Sequence, residues 1–137
     1  MTESKIRAFA VRAEPYAYAA LRIVAGVLFA VHGAQKLFGW HSPFMPPAGS
    51  QLWIGGVIEL VGGALIALGW FTRPVAFVAS GQMAVAYVQF HWKLAIADGA
   101  WLPAVNKGEL AVIYCFLFLF VATHGAGAAS IDGKRAT

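Results

Sequence analysis

Three polar side chains stand near the end of an apolar run: His32, Gln35 and Lys36 in FAVHGAQKLFGW, residues 29–40. Helical spacing puts His32 and Lys36, four apart, on one face, with Gln35 close beside them. A single carboxylate, Glu59, interrupts a second apolar and glycine-rich run, LWIGGVIELVGGALIALGW. Brought together, an imidazole, an amine and a carboxylate supply groups that move protons and a cation that steadies negative charge. An ionised carboxylate facing lipid costs about 2.5 to 3.5 kcal/mol or more at the bilayer centre, so Glu59 is expected to pair with His32 or Lys36.

Composition says what surrounds these groups. The chain has 137 residues, 60% of them hydrophobic and 12% charged. That charged share is about half the level of soluble proteins, which points to a membrane protein of one domain. The net charge of +4 is scattered through apolar segments, without the basic stripe that nucleic-acid binding needs. Cys115 is the only cysteine, so neither an internal disulfide nor a CxxC redox or zinc motif exists. Lys5, Arg7 and Arg12 ahead of an apolar run resemble a signal peptide. The run is longer than a signal core, however, and carries Arg22 near its start, so an uncleaved first membrane helix is expected.

The expected architecture is all-α: an integral membrane four-helix bundle, antiparallel, with both termini cytoplasmic. Residues 1–15 form a polar cytoplasmic segment, with Pro15 suited to a first helical turn. Residues 16–124 hold the four helices, at about 16–38, 51–68, 74–91 and 107–123, and residues 125–137 form a polar, frayed cytoplasmic tail. The connection from Gly69 to Arg73 is short enough to force antiparallel neighbours. Lys5, Arg7, Arg12, Arg73, Lys134 and Arg135 fall on the terminal side against Lys36, Lys93 and Lys107 on the other. The excess makes the terminal side cytoplasmic, and the tryptophans fall at the interfaces. Small residues on two helices, Gly55, Gly62 and Gly63 facing Ala76, Ser80 and Ala84, are expected to let the second and third helices approach closely.

Counting inward from Gly39 and Leu52, His32 and Glu59 each lie about 10 Å deep at 1.5 Å per residue. They are level. An outward-opening polar pocket is therefore expected, lined by His32, Gln35, Lys36, Glu59 and Gln82, with Gln89, His91 and Glu109 toward its rim. Tyr114 lies at the depth of His32 but about 140° around the helix from Glu109, so at most one of the two faces inward. Plainer roles compete. Arg22 and Lys36 can extend their heads to the interface, His91 and Glu109 can be solvated, and His32 and Glu59 can serve only to fix helix register. His32 and His91 differ too much in depth for a shared haem. No metal set, phosphate loop or nucleophilic triad is visible, and no haem, flavin or metal is expected.

The ordered series LRIVAGVLFAVHGAQKLFGW, GGVIELVGGALIALGWFTRPVA, GQMAVAYVQFHW and NKGELAVIYCFLFLF closely resembles the DoxX family of small bacterial membrane proteins, over about Leu21 to Val121. The resemblance implies a four-helix membrane bundle in the bacterial plasma membrane. Its motif positions fall on His32, Lys36, Glu59 and Glu109, and add Arg22 and Tyr87 to the ligand-binding set. The family commonly carries a glutamate where Gln82 stands. It also resembles the quinone-reducing membrane subunits of thiosulfate oxidation, and some members accompany oxidoreductase complexes that handle thiols. That similarity implies a subunit of quinone- or sulfur-linked redox chemistry, with His32 and Glu59 as proton carriers, Lys36 and Arg22 stabilising anionic charge, and a quinone as the cofactor. The expected partners are the lipid bilayer and either other subunits of a complex or further copies of the chain. A solute or proton transporter component and an assembly subunit are the competing functions.

Overall fold

The computed structural model of the chain describes residues 2–135; Met1, Ala136 and Thr137 lie outside the described residues. Helix α1 spans Glu3–Phe38, α2 Gln51–Leu68 and α3 Thr72–Ala86, which runs on as a π-helical turn, Tyr87–Trp92. A 3₁₀ turn at Ala97–Gly99 and the short α4, Pro103–Asn106, precede α5, Glu109–His124, and α6, Ile131–Arg135. No strand occurs among the described residues.

Local chemistry sets the boundaries. The Ser50 side chain accepts a hydrogen bond from the Trp53 N–H at 3.3 Å, and Gly69 closes α2 in the left-handed region at φ 66°. Those are the cap residues helices prefer, and α2 occupies the residues expected for it. Helix α1 begins at Glu3, not near Tyr16, and Pro15 lies inside it. The added turns are rich in Ala, Lys, Arg and Glu, all strong helix formers, with an acid in the first turn. Helix α5 starts two residues later than expected, because Lys107 is left-handed at φ 60° and Gly108 serves as its cap.

Two pairs of helices dominate the packing, α1 with α2 and α3 with α5, while α2 and α3 join the pairs. Gly26 and Gly63 bring α1 and α2 into backbone contact. A Cβ at Gly63 would lie 2.5 Å from the Ala30 nitrogen and the Gly26 oxygen. The expected glycine seam between α2 and α3 is therefore divided: Gly63 packs on α1, whereas Gly62 faces Val75 and Gly55 faces Gln82 on α3. Phe29 sits in the centre, 4.8 Å from the Phe118 ring and 5.5 Å from Tyr114.

The tail is not frayed. Its described residues fold back as a strap across the ends of α1, α2 and α3. Arg22, 0% exposed, donates from Nη1 to the Ile66 and Ala67 carbonyls at 2.7 and 2.6 Å. Its Nη2 donates to the tail carbonyls of Ala128 and Ala129 at 3.1 and 2.8 Å. Asp132 accepts from the N–H groups of Phe71 and Thr72 at 3.1 and 2.9 Å and from the Thr72 hydroxyl at 2.8 Å. It thereby caps α3, whose own N-cap residue, Phe71, offers no side-chain hydrogen bond. Tyr18 donates to the Gly125 carbonyl at 2.5 Å. Arg73 completes this end by donating to the carbonyls of Ala122, Thr123 and His124, the last turn of α5.

Candidate functional site

At the end away from the strap, a cavity of about 460 Å³ opens between the helices. Helix α1 contributes Phe29, His32 and Lys36, and α2 contributes Gln51, Leu52, Gly55 and Glu59. Gln82, Met83 and His91 enter from α3 and its π turn, and Leu110, Ala111 and Tyr114 from α5. Much of this wall is apolar or aromatic, and two of its polar side chains, Lys36 and Gln82, contact Glu59. Such a lining suits a largely apolar ligand with a few polar atoms.

The Glu59 carboxylate, 2% exposed, is the centre of that group. Lys36 Nζ lies 2.5 Å from its Oε1, and Gln82 Nε2 donates to the same oxygen at 3.0 Å and to the Gly55 carbonyl at 3.1 Å. One carboxylate oxygen thus takes two donors, one of them cationic. The other, Oε2, is buried with no partner among the described residues, and so is Gln82 Oε1. Buried acceptors of this kind are rare in folded proteins, and a water, an ion or a ligand is what ordinarily satisfies them.

His32 lines the same cavity, one turn of α1 from Lys36. His91 arrives by a different route. Nine residues of uninterrupted α-helix turn through about 900°, which would set His91 on the face opposite Gln82. The π turn, with the Lys93 N–H bonded to the Val88 carbonyl at 2.8 Å, underwinds the helix locally and brings His91 to the cavity. Its Nδ1 lies 3.3 Å from the Asn106 carbonyl. Gln89, on the same turn, is joined to Gln51 at 2.5 Å, a bridge between α2 and the end of α3.

Five of the expected residues, Arg22, Gln35, Tyr87, Gln89 and Glu109, do not line the cavity. Arg22 is about 21 Å along α1 from Lys36 at 1.5 Å per residue, held by the strap carbonyls. It does not touch the cavity, and its side chain is fully buried. Tyr87 donates to the Trp101 carbonyl and accepts from Asn106 Nδ2 at 3.2 Å. It lines a second, almost wholly apolar groove with Trp92, Trp101 and Cys115. Glu109 is exposed, and neither it nor Gln35 lines the cavity. Of the α5 pair that could not both face inward, Tyr114 is the one that does.

Two polar lining residues, Gln51 and Lys107, were not anticipated. Gln51 had a readable signal, since Gln51, Gly55 and Glu59 follow one another at intervals of four along one face. Lys107 had none, because it projects from a left-handed residue outside any helix. Among the described residues no three His, Cys, Asp or Glu side chains gather as metal ligands would. The arrangement supplies a proton acceptor in Glu59, an ammonium beside it and an imidazole one turn away, at one end of an apolar chamber.

Helices α1 and α2 are each long and apolar enough to cross a membrane, and α5 is a shorter apolar helix. The DoxX family model matches residues 17–92, from the first helix to the end of the π turn. An uncharacterised protein of Haemophilus influenzae is 40% identical over 124 residues, covering 88% of this chain and 91% of that relative. No solved structure matches. The matched stretch carries the cavity groups of α1, α2 and α3, and the chain belongs to the DoxX family of membrane proteins.

Proposed function

We propose that this protein is a multi-pass subunit of the bacterial plasma membrane whose cavity holds a quinone-type ring during redox chemistry linked to quinones or sulfur compounds. In this reading α1, α2, α3 with its π turn, and α5 cross the bilayer as an antiparallel bundle. Both termini then lie on the cytoplasmic side, where most of the basic residues gather. The observation that carries the proposal is the Lys36–Glu59–Gln82 cluster set among the apolar and aromatic walls of the cavity.

Within it, Glu59 exchanges a proton with a ring oxygen, and His32, one turn from Lys36, relays that proton toward the cavity mouth. Lys36 stabilises negative charge on the ring oxygen as the proton moves. Phe29, Met83 and Tyr114 hold the ring. The side chains around the cavity move protons, so electrons pass to or from a substrate or a partner subunit. Arg22, expected in this role from sequence, belongs to the strap and takes no part.

Purification from native membranes in mild detergent, followed by extraction and identification of bound quinone, tests the reading. Wild-type protein should carry quinone, and Glu59→Gln should carry at least severalfold less. Equal quinone content in the two would count against it. A second reading rests on a different observation, that the ion pair joins α1 and α2, the helices already in backbone contact through Gly26 and Gly63. There the pair fixes helix register within a larger complex. A stoichiometric partner with no quinone in the purified complex favours that assembly role.

A further inference from the structure

The hydrogen-bonding capacity left over in the cavity has a sign. Glu59 Oε2 and Gln82 Oε1 are both buried and both lack a partner among the described residues, and both are acceptors. The Gln82 amide cannot be reversed to change this. Its Nε2 faces two oxygens, the Gly55 carbonyl at 3.1 Å and Glu59 Oε1 at 3.0 Å, so a reversed amide would set three acceptors against one another. Glu59 is joined to Lys36 as an ion pair at 2.5 Å, and both oxygens of a paired carboxylate are acceptors.

Around the cavity, by contrast, no buried donor lacks a partner among the described residues. The Lys36 side chain is 28% exposed, so water can serve its remaining N–H groups. A ligand that brings only acceptors therefore leaves the two buried oxygens as they are. A ligand that brings hydroxyl groups satisfies them. The unmet need of a buried acceptor is costly, and a site built around it discriminates strongly between a hydroxyl and its absence.

On the reading of the cavity as a quinone site, we infer that it selects the reduced ring: a hydroquinone, with a hydroxyl donating to Glu59 Oε2 or Gln82 Oε1, binds in preference to the quinone. Glu59 Oε1 is then the anchored oxygen and Oε2 the one open to the ligand. Gln82 is a specificity residue, since it fixes that asymmetry and contributes the second acceptor.

The test uses wild-type protein in nanodiscs under anaerobic conditions, with three probes of nearly one shape: a short-chain 1,4-hydroquinone, its quinone and its dimethyl ether. Binding is followed by quenching of intrinsic tryptophan fluorescence and by equilibrium dialysis. The hydroquinone is expected to bind at least about tenfold more tightly than either of the others. Gln82→Met keeps the length of the side chain, removes its acceptor, and should shrink that preference severalfold. Equal affinity for hydroquinone and quinone, or tighter binding of the quinone, overturns the inference while leaving the cavity a quinone site. Absence of saturable binding by all three overturns the quinone reading and the inference with it. The comparison of three ligands on one protein does not depend on any variant folding.

Discussion

Glu59 and Lys36 lie 23 positions apart in sequence and 2.5 Å apart in space. Removing one member of a buried pair leaves a charge without compensation, whereas removing both leaves an apolar contact. Lys36→Met should therefore destabilise the protein by an amount near the lower end of roughly 3–5 kcal/mol, because Lys36 is only partly buried. Lys36→Met combined with Glu59→Leu should recover most of that loss. Reversible unfolding in mixed micelles measures both. A double variant no more stable than Lys36→Met would show that the pair is not coupled. This pair was legible in the sequence because isolated charges in apolar helices have few ways to be satisfied. Arg22 was not legible, since its partners are four main-chain carbonyls. Every residue carries such a group, so none announces itself in the amino-acid string.

Between α1 and α2 the glycines decide how closely the helices approach. Gly63→Ala would place a Cβ 2.5 Å from two backbone atoms of α1, and forcing the helices apart should cost about 1–3 kcal/mol. Gly81, with nothing within 4 Å of its Cβ position, is the internal comparison: Gly81→Ala should be neutral or stabilise by up to about 1 kcal/mol through helix propensity. Thermal unfolding of the two variants in one detergent separates packing from propensity, and equal melting temperatures would refute the close-contact account. The sequence showed that these glycines pack helices but not which helix each one meets. Small residues at positions 55, 62 and 63 spread around the helix, and only the fold distributes them. The π turn was hidden for a related reason. Reading by a constant 100° per residue puts His91 at an angle that the underwound turn does not keep.

Across the whole molecule, polar contacts are concentrated at two opposite ends. The cavity end carries Lys36, Glu59 and Gln82, while the strap end joins α1, α2, α3 and α5 through Arg22, Tyr18, Arg73 and Asp132. Burial pushes the Asp132 carboxyl up, but hydrogen bonds from Thr72 and Phe71 and the nearby Arg135 charge outweigh it, so its pKa falls below the usual 3.8. A depressed folded-state value means that Asp132 stabilises the fold fully above the unfolded carboxylate value, and that this contribution disappears as pH falls through the folded value. Melting curves between pH 3 and pH 7 should show that acid-sensitive component in wild type. Asp132→Asn should be less stable at neutral pH and lack it. Parallel pH dependences for the two proteins would dissociate Asp132 from the strap's hold. The polar, small-residue composition of residues 125–135 concealed this role, because the strap binds mainly through backbone and one carboxylate rather than through an apolar face.

The strap also bears on how the protein is made. Arg22 lies in α1, whereas its tail partners Ala128 and Ala129 follow 106 and 107 residues later. At typical elongation rates that interval is roughly 5–20 s. During it the guanidinium has at most the α2 carbonyls of Ile66 and Ala67, and water or lipid headgroups must serve the rest. The strap end can close only after α5 is in place, so a segment synthesised late completes the hydrogen bonding of a residue synthesised early.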